Sequence, residues 1–172
     1  MTAKLFTPFE LGKLTLANRI VIAPMCTYSA ENGCTNDWHL IHYGQLALSG
    51  AGLLTLEASA VSPEGRITYG DIGLWSDDCE KALARTLEGV RRWSDMPIAI
   101  QLAHAGRKAS TDLPWKGSAQ LTPNVPNGWQ TISSSNLPFQ DGEHAPQALD
   151  QGVEDIAQAA EVGFFAEDVE EA

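Results

Sequence analysis

Short apolar runs alternate along this chain with segments of helical spacing, and that alternation constrains its fold more than any other feature. The first run, IVIAPM, covers Ile20 to Met25 and is interrupted by a proline; the second, LLTLEASAV, covers Leu53 to Val61; the third covers Ile98 to Ala103. Short continuous apolar runs of this kind suit strands buried on both faces. Between the first two runs, residues 37–49 place Trp38, Ile41, Leu46 and Leu48 near helical spacing, with Asp37 as expected N-cap and Gly50 as expected stop. Between the second and third, Ser76-Asp77-Asp78 opens a helix expected to run through Glu80 to Trp93, with Leu83, Leu87 and Val90 about one turn apart. Strand–helix–strand alternation implies parallel strands joined by crossover helices. A doubly wound sheet and a (β/α)₈ barrel both satisfy it, and periodicity alone does not choose. In the barrel, right-handed sequential crossovers predict adjacent parallel strands in the order one, two, three; antiparallel pairing, or strand one between the other two, would favour the doubly wound sheet.

The flanking segments differ in kind. Residues 5–19 read as short extended pieces around a turn at Gly12–Lys13, whereas 105–145 read as a loop of unusual length, rich in Pro, Gly, Asn and Ser. Loops that long inside a compact domain are generally functional or disordered. A helix is expected over Asp150–Val162. Residues 1–140 therefore form one unit, and 141–172 an acidic, divergent tail, helical in part or disordered.

Charge separates the same two parts. The chain carries a formal net charge of −11, yet all 11 bases lie at or before Lys116, and everything from Asp141 onward is acidic or neutral. An acidic tail is a poor ligand for nucleic acid or anionic lipid, both of which need a basic footprint. With 44% hydrophobic and 19% charged residues, no long apolar span and no secretory leader, the sequence reads as a globular cytoplasmic protein. Cys26, Cys34 and Cys79 form no CxxC pair, so neither a disulfide framework nor structural zinc is expected. His39 and His42 share a helical face, but with no third ligand in view they read as packing or solvent-facing residues. Gly50-Ala51-Gly52 follows a helix and precedes a strand, the reverse of a Rossmann fingerprint, and reads as a helix stop and turn.

In a (β/α)₈ barrel, functional residues lie at the carboxyl ends of the strands. Those ends are Ala23-Pro24-Met25-Cys26 with Tyr28 just beyond, Glu57-Ala58-Ser59, and Gln101 through Lys108. A thiol, a phenol, a carboxamide and a basic cluster would converge there.

The segments LFTPFELGKLTLANRIVIAPMCTYSAENG, NDWHLIHY, LEASAVSPEGRITYGDIGLWSD and IAIQLAHAGRKAS resemble the Old Yellow Enzyme family. APMCTY after the first strand and QLAHAGRKA after the third are similar to its xenobiotic-reductase and YqjM-like subgroup. The resemblance implies the first three βα units of an FMN-binding TIM barrel, followed by a long loop. It also implies an FMN-dependent oxidoreductase that takes a hydride from NAD(P)H and reduces activated alkenes of the enone type. On that basis Ala23, Pro24, Met25 and Cys26 would line the flavin, Ala58 would lie near its ring, and Gln101 would bond its pyrimidine edge. Cys26 would tune the flavin, and Tyr28 would donate a hydrogen bond to the substrate. Without the resemblance, a Cys after a strand is ordinarily a small apolar filler and Tyr28 an ordinary surface residue.

The motif resemblance fades near Phe139. The family's paired histidine motif, its proton-donating tyrosine and its flavin-phosphate site are not found in the segment that follows. The expectation is therefore a chain that ends before the family fold is complete and is inactive by itself. Three readings stay open: an ene-reductase whose other half is lost or supplied by a second chain, a non-catalytic remnant or interaction subunit without flavin, and an independently folded doubly wound domain.

Overall fold

A computed structural model of the protein describes residues 3–149. The chain opens with a hairpin, β1 (Phe9–Leu11) against β2 (Leu14–Leu16), antiparallel and turning at Gly12, whose φ of 61° suits a residue without Cβ. This is the extended pair expected around Gly12–Lys13. Leu16 is 2% exposed and packs with Leu53 and Ala99, so the hairpin covers the amino ends of the strands that follow.

The central sheet holds β3 (Val21–Ile22), β4 (Leu53–Ala60) and β5 (Ile98–Ala103), in the order β3-β4-β5 and parallel throughout. Order and direction are those expected from sequential crossovers, and β5 has the expected bounds. Strand one is shorter than expected: of Ile20–Met25, only Val21 and Ile22 pair, with Leu53 and Leu54. Pro24 has no N–H to donate, so the ladder stops before it.

The crossovers are α1 (Asp37–Ala47) and α2 (Asp77–Arg91). Asn36, rather than the expected Asp37, caps α1: its side chain accepts from the Trp38 N–H at 3.1 Å, and His39 Nδ1 accepts from the Asn36 N–H at 3.1 Å. Two orphan amides of the first turn are thereby satisfied, which leaves Asp37 as the first helical residue. Ser76 caps α2, accepting from the Cys79 N–H at 3.3 Å, and Asp77, Asp78 and Glu80 complement the positive end of the helix dipole. Both helices lie on one side of the sheet. Tyr43 and Ala47 of α1, Leu83 and Val90 of α2, Leu54 and Leu56 of β4 and the adjoining Met96 form the main core, with Ile98 and Ile100 packed against it.

The long segment after β5 is ordered rather than structureless. It contains short 3₁₀ turns at Gly106–Lys108 and Pro114–Lys116, and a parallel ladder between β6 (Ile132–Ser133) and β7 (Gln147–Ala148). Trp129 fastens it to the barrel side, donating from Nε1 to the Glu64 carbonyl at 2.9 Å. The Arg66 guanidinium lies over the rings of both Trp129 (4.8 Å) and Trp75 (5.3 Å), cation–π contacts that tie the long segment to the connection after β4. The helix expected over Asp150–Val162 and most of the acidic tail fall outside the described residues. The described part is thus an α/β fragment holding three consecutive strands of a barrel, with the sheet open.

Candidate functional site

A β-bulge decides what the carboxyl end of the sheet presents. Leu56 pairs with Ile100 and Ala58 with Gln101, so Glu57 is an extra residue on β4. On β5, Ile98 and Ile100 face the helices, while Ala99 packs with Leu16 and Leu53 on the other side. Strand alternation then places Gln101 with Ala99, on the face turned away from the helices. The bulge brings Ala58 into register with Gln101 and aims Glu57 back towards α1. Gln101 is exposed, and among the described residues its amide makes no hydrogen bond. Along the first strand exposure also alternates: Val21, Ala23 and Met25 are exposed, and Ile22, Pro24 and Cys26 are partly covered.

Cys26 joins this end of the sheet. Its thiol lies beside the Ala58 backbone and Tyr28. Burial, with the negative charges of Asp71 and Glu57 adding to it, pushes the thiol up to about 11 despite those two contacts. Tyr28 is raised as well, first by burial and then by Cys26 and the same two acids. At neutral pH the pair is therefore a neutral thiol beside a neutral phenol, able to donate hydrogen bonds but carrying no charge. The structure brings Cys26, Tyr28, Ala58 and Gln101 to one end of the sheet, as the strand-end reading expected.

Tyr28 adopts a left-handed backbone, φ 52°, which is uncommon for a residue with a side chain. Close packing on Gly70 accompanies it: a Cβ at Gly70 would sit 2.5 Å from the Tyr28 carbonyl oxygen. The Tyr28 ring meets Trp115 edge-on, with centroids 6.4 Å apart, and lines a cavity of about 300 Å³ shared with Ile67, Lys108 and Phe139. The long loop thus forms one wall of the space that Tyr28 faces.

Sequence reasoning passed over the group that holds this turn together. Glu57 is 1% exposed and accepts from the Thr27 N–H (2.9 Å), the Thr27 hydroxyl (3.0 Å) and the Tyr43 hydroxyl (2.9 Å). Asp71, 2% exposed, accepts from the Ile67 N–H (2.7 Å), the Thr68 N–H (3.1 Å) and the Thr68 hydroxyl (2.7 Å), and burial raises its carboxyl. A lone Glu inside an apolar strand is the signal that could have revealed the first, since a buried carboxyl must find donors. His39 is fully buried and burial lowers its imidazole, so of the packing and solvent-facing roles expected it takes the first, while its Nδ1 serves the α1 cap. At the same end of the sheet, His104 Nε2 and Ser62 Oγ are buried without a partner among the described residues.

Among the described residues no group of three or more His, Cys, Asp or Glu is arranged to hold a metal ion, and no helix is long and apolar enough to cross a membrane.

Known proteins match this chain in sequence and in fold. An NADPH dehydrogenase of Bacillus cytotoxicus is 40% identical over 151 residues, which cover 87% of this chain and 39% of that protein. An NADH:flavin oxidoreductase of Gibberella zeae is 39% identical over 172 residues, 99% of this chain and 38% of its own length. Among solved structures, morphinone reductase in complex with tetrahydroNAD superposes with a TM-score of 0.71 at 29% identity, covering 92% of this chain and 44% of that one. The old yellow enzyme from Trypanosoma cruzi shares the fold, with a TM-score of 0.70 at 24% identity over 91% of this chain and 45% of its own. The chain thus spans about two fifths of the length of the relatives it matches. A family match covers residues 4–167, beyond Phe139, where the recognisable motifs end. On this match the chain belongs to the NADH:flavin oxidoreductase / NADH oxidase family, the family of the Old Yellow Enzymes.

Proposed function

We propose that these residues supply the amino-terminal wall of an FMN site in an NAD(P)H-dependent flavin oxidoreductase acting on activated alkenes of the enone type. One observation carries the reading: Cys26, Tyr28, Ala58 and Gln101, drawn from three strands, converge at the carboxyl end of the sheet. The residues suit a flavin. Gln101 turns a free amide, with both donors and an acceptor, towards the open face, as a pyrimidine edge requires. Ala58 beside it is small enough for a flat ring to approach, and Ala23, Pro24 and Met25 offer backbone and apolar surface along the same rim.

The chemistry FMN supplies when bound is transfer of a hydride from NAD(P)H to the β-carbon of an α,β-unsaturated carbonyl. Gln101 would hold the pyrimidine edge through its amide. The Cys26 thiol, kept neutral by burial, offers a weak donor at the ring edge and adds no charge there. Tyr28, also neutral, donates to substrate from the side of the cavity it lines. Arg107 and Lys108 border the same cavity and contribute positive field near anionic groups.

This wall is one part of a site. Positioning contributes on the order of 7–11 kcal/mol to such barriers, and losing one donor at a developing oxyanion costs about 100-fold or more. The 172-residue chain by itself is accordingly expected to bind FMN weakly and to reduce 2-cyclohexenone no faster than free FMN with NADPH under nitrogen. A longer or second polypeptide that completes the barrel should raise both. The change in the flavin's visible bands when FMN is titrated into the purified chain tests the reading. Binding that persists in Gln101→Leu and Ala58→Phe variants would overturn it.

A further inference from the structure

We propose that Glu57 is a positioning residue for this site: by gripping Thr27 through both carboxyl oxygens, it sets the turn that presents Cys26 and Tyr28. Its functional meaning rests on the flavin-site reading above; the grip itself does not.

Thr27 lies between the two residues whose placement matters. Glu57 Oε2 accepts its N–H at 2.9 Å and Oε1 its hydroxyl at 3.0 Å, so both backbone and side chain are held by one group. The third donor, Tyr43 on α1, reaches Oε1 at 2.9 Å and ties the carboxyl to the main core. The β4 bulge makes this possible, because an unbulged strand would turn residue 57 to the open face. The rest of the turn is anchored in the same manner. Ser29 Oγ donates to the Thr27 carbonyl at 3.0 Å, Asn36 Nδ2 donates to the Ser29 carbonyl at 2.8 Å, and the Ala30 N–H donates to the Gly70 carbonyl at 2.9 Å. Within this chain of bonds Tyr28 is held at φ 52°, a conformation that persists where its surroundings over-determine it. Glu57 is the link from the turn to the packed helix face, and it touches neither open face nor cavity. A residue needed merely to fill the core would more simply have been Leu or Met, since a buried carboxyl costs desolvation that these three bonds must offset.

The test is the rate of Cys26 alkylation by iodoacetamide at pH 8, read by peptide mass spectrometry on the full chain without flavin. Cys79, 1% exposed at the start of α2, is the internal control. Releasing the turn uncovers Cys26, and removing a nearby negative charge lowers its pKa; both increase the reactive thiolate. Glu57→Ala should accelerate Cys26 about tenfold, the equivalent of about one pKa unit, and Glu57→Gln about threefold. Thr27→Val, which removes the hydroxyl but keeps the N–H bond, should also accelerate it and serves if Glu57→Ala fails to fold. Cys79 should stay unchanged throughout. Unaltered Cys26 rates in Glu57→Gln and Thr27→Val, or equal acceleration of Cys26 and Cys79, would overturn the proposal, since those are the marks of a purely structural residue. FMN binding to the parent chain is measured in parallel. If Cys26 responds as expected but FMN does not bind, the flavin reading falls while the grip on the turn stands.

Discussion

The two faces of the central sheet are built to different rules. Towards the helices, Leu54 and Leu56 are each 1% exposed and lock against Tyr43, Ala47, Leu83 and Val90. On the opposite side, Val21 and Met25 remain 51% and 53% exposed, and the exposed Gln101 amide makes no hydrogen bond among the described residues. One face is a finished core whose residues are chosen for volume. The other leaves Val21, Ala23, Met25 and Gln101 exposed, with the small Ala58 beside Gln101. Glu57 marks the seam, because a bulge turns it from the second face to the first and lets it hold the turn at Thr27 from behind.

Substitutions should separate the faces sharply. Leu56→Ala on the helix side should cost about 2–5 kcal/mol in urea unfolding, the usual range for a cavity in a packed core. Tyr43→Phe should cost about 1–2 kcal/mol, because it strips a donor from a buried carboxyl without changing the packing. Met25→Ala on the open face should fall within about 0.5 kcal/mol of the parent, as surface changes do. A Met25→Ala cost comparable with that of Leu56→Ala would show that the open face is packed in solution.

The seam should also appear in pH dependence. Cys26 is held at about 11 when folded against an ordinary 9.0, so the native state binds its proton more tightly than the unfolded state does. Its contribution to stability is fully present below pH 9 and is lost as pH rises through about 11. Tyr28 and Tyr43 are shifted upwards as well and act in the same direction at still higher pH. Thermal melts should therefore fall in this alkaline range, and less steeply in Cys26→Ala. Identical slopes would mean that the thiol is not buried as described.

Much of this was legible in the sequence because apolar runs and caps are local. The bounds of β5, the Ser76 cap and the hairpin at Gly12 all follow from neighbours in the chain. The first strand was overread because apolar character continues through Pro24 although its ladder cannot. Ala58 and Gln101 could be matched through motifs, but their shared facing depends on the bulge, and nothing local in LLTLEASA announces which residue is extra. The roles of Glu57 and Asp71 were hidden for a similar reason: their donors lie on Thr27, Tyr43, Ile67 and Thr68, and pairings across the fold leave no periodic trace.

The central claim is that the carboxyl end of the open face is a flavin-binding wall. Titrating the isotopically labelled chain with FMN and following its amide resonances tests this directly, since even weak binding is read residue by residue. The account predicts shifts at Ala23, Met25, Cys26, Ala58 and Gln101, with Leu83 and Val90 on the helix side unmoved. Shifts confined to the helix side, or none anywhere with FMN in large excess, would contradict it.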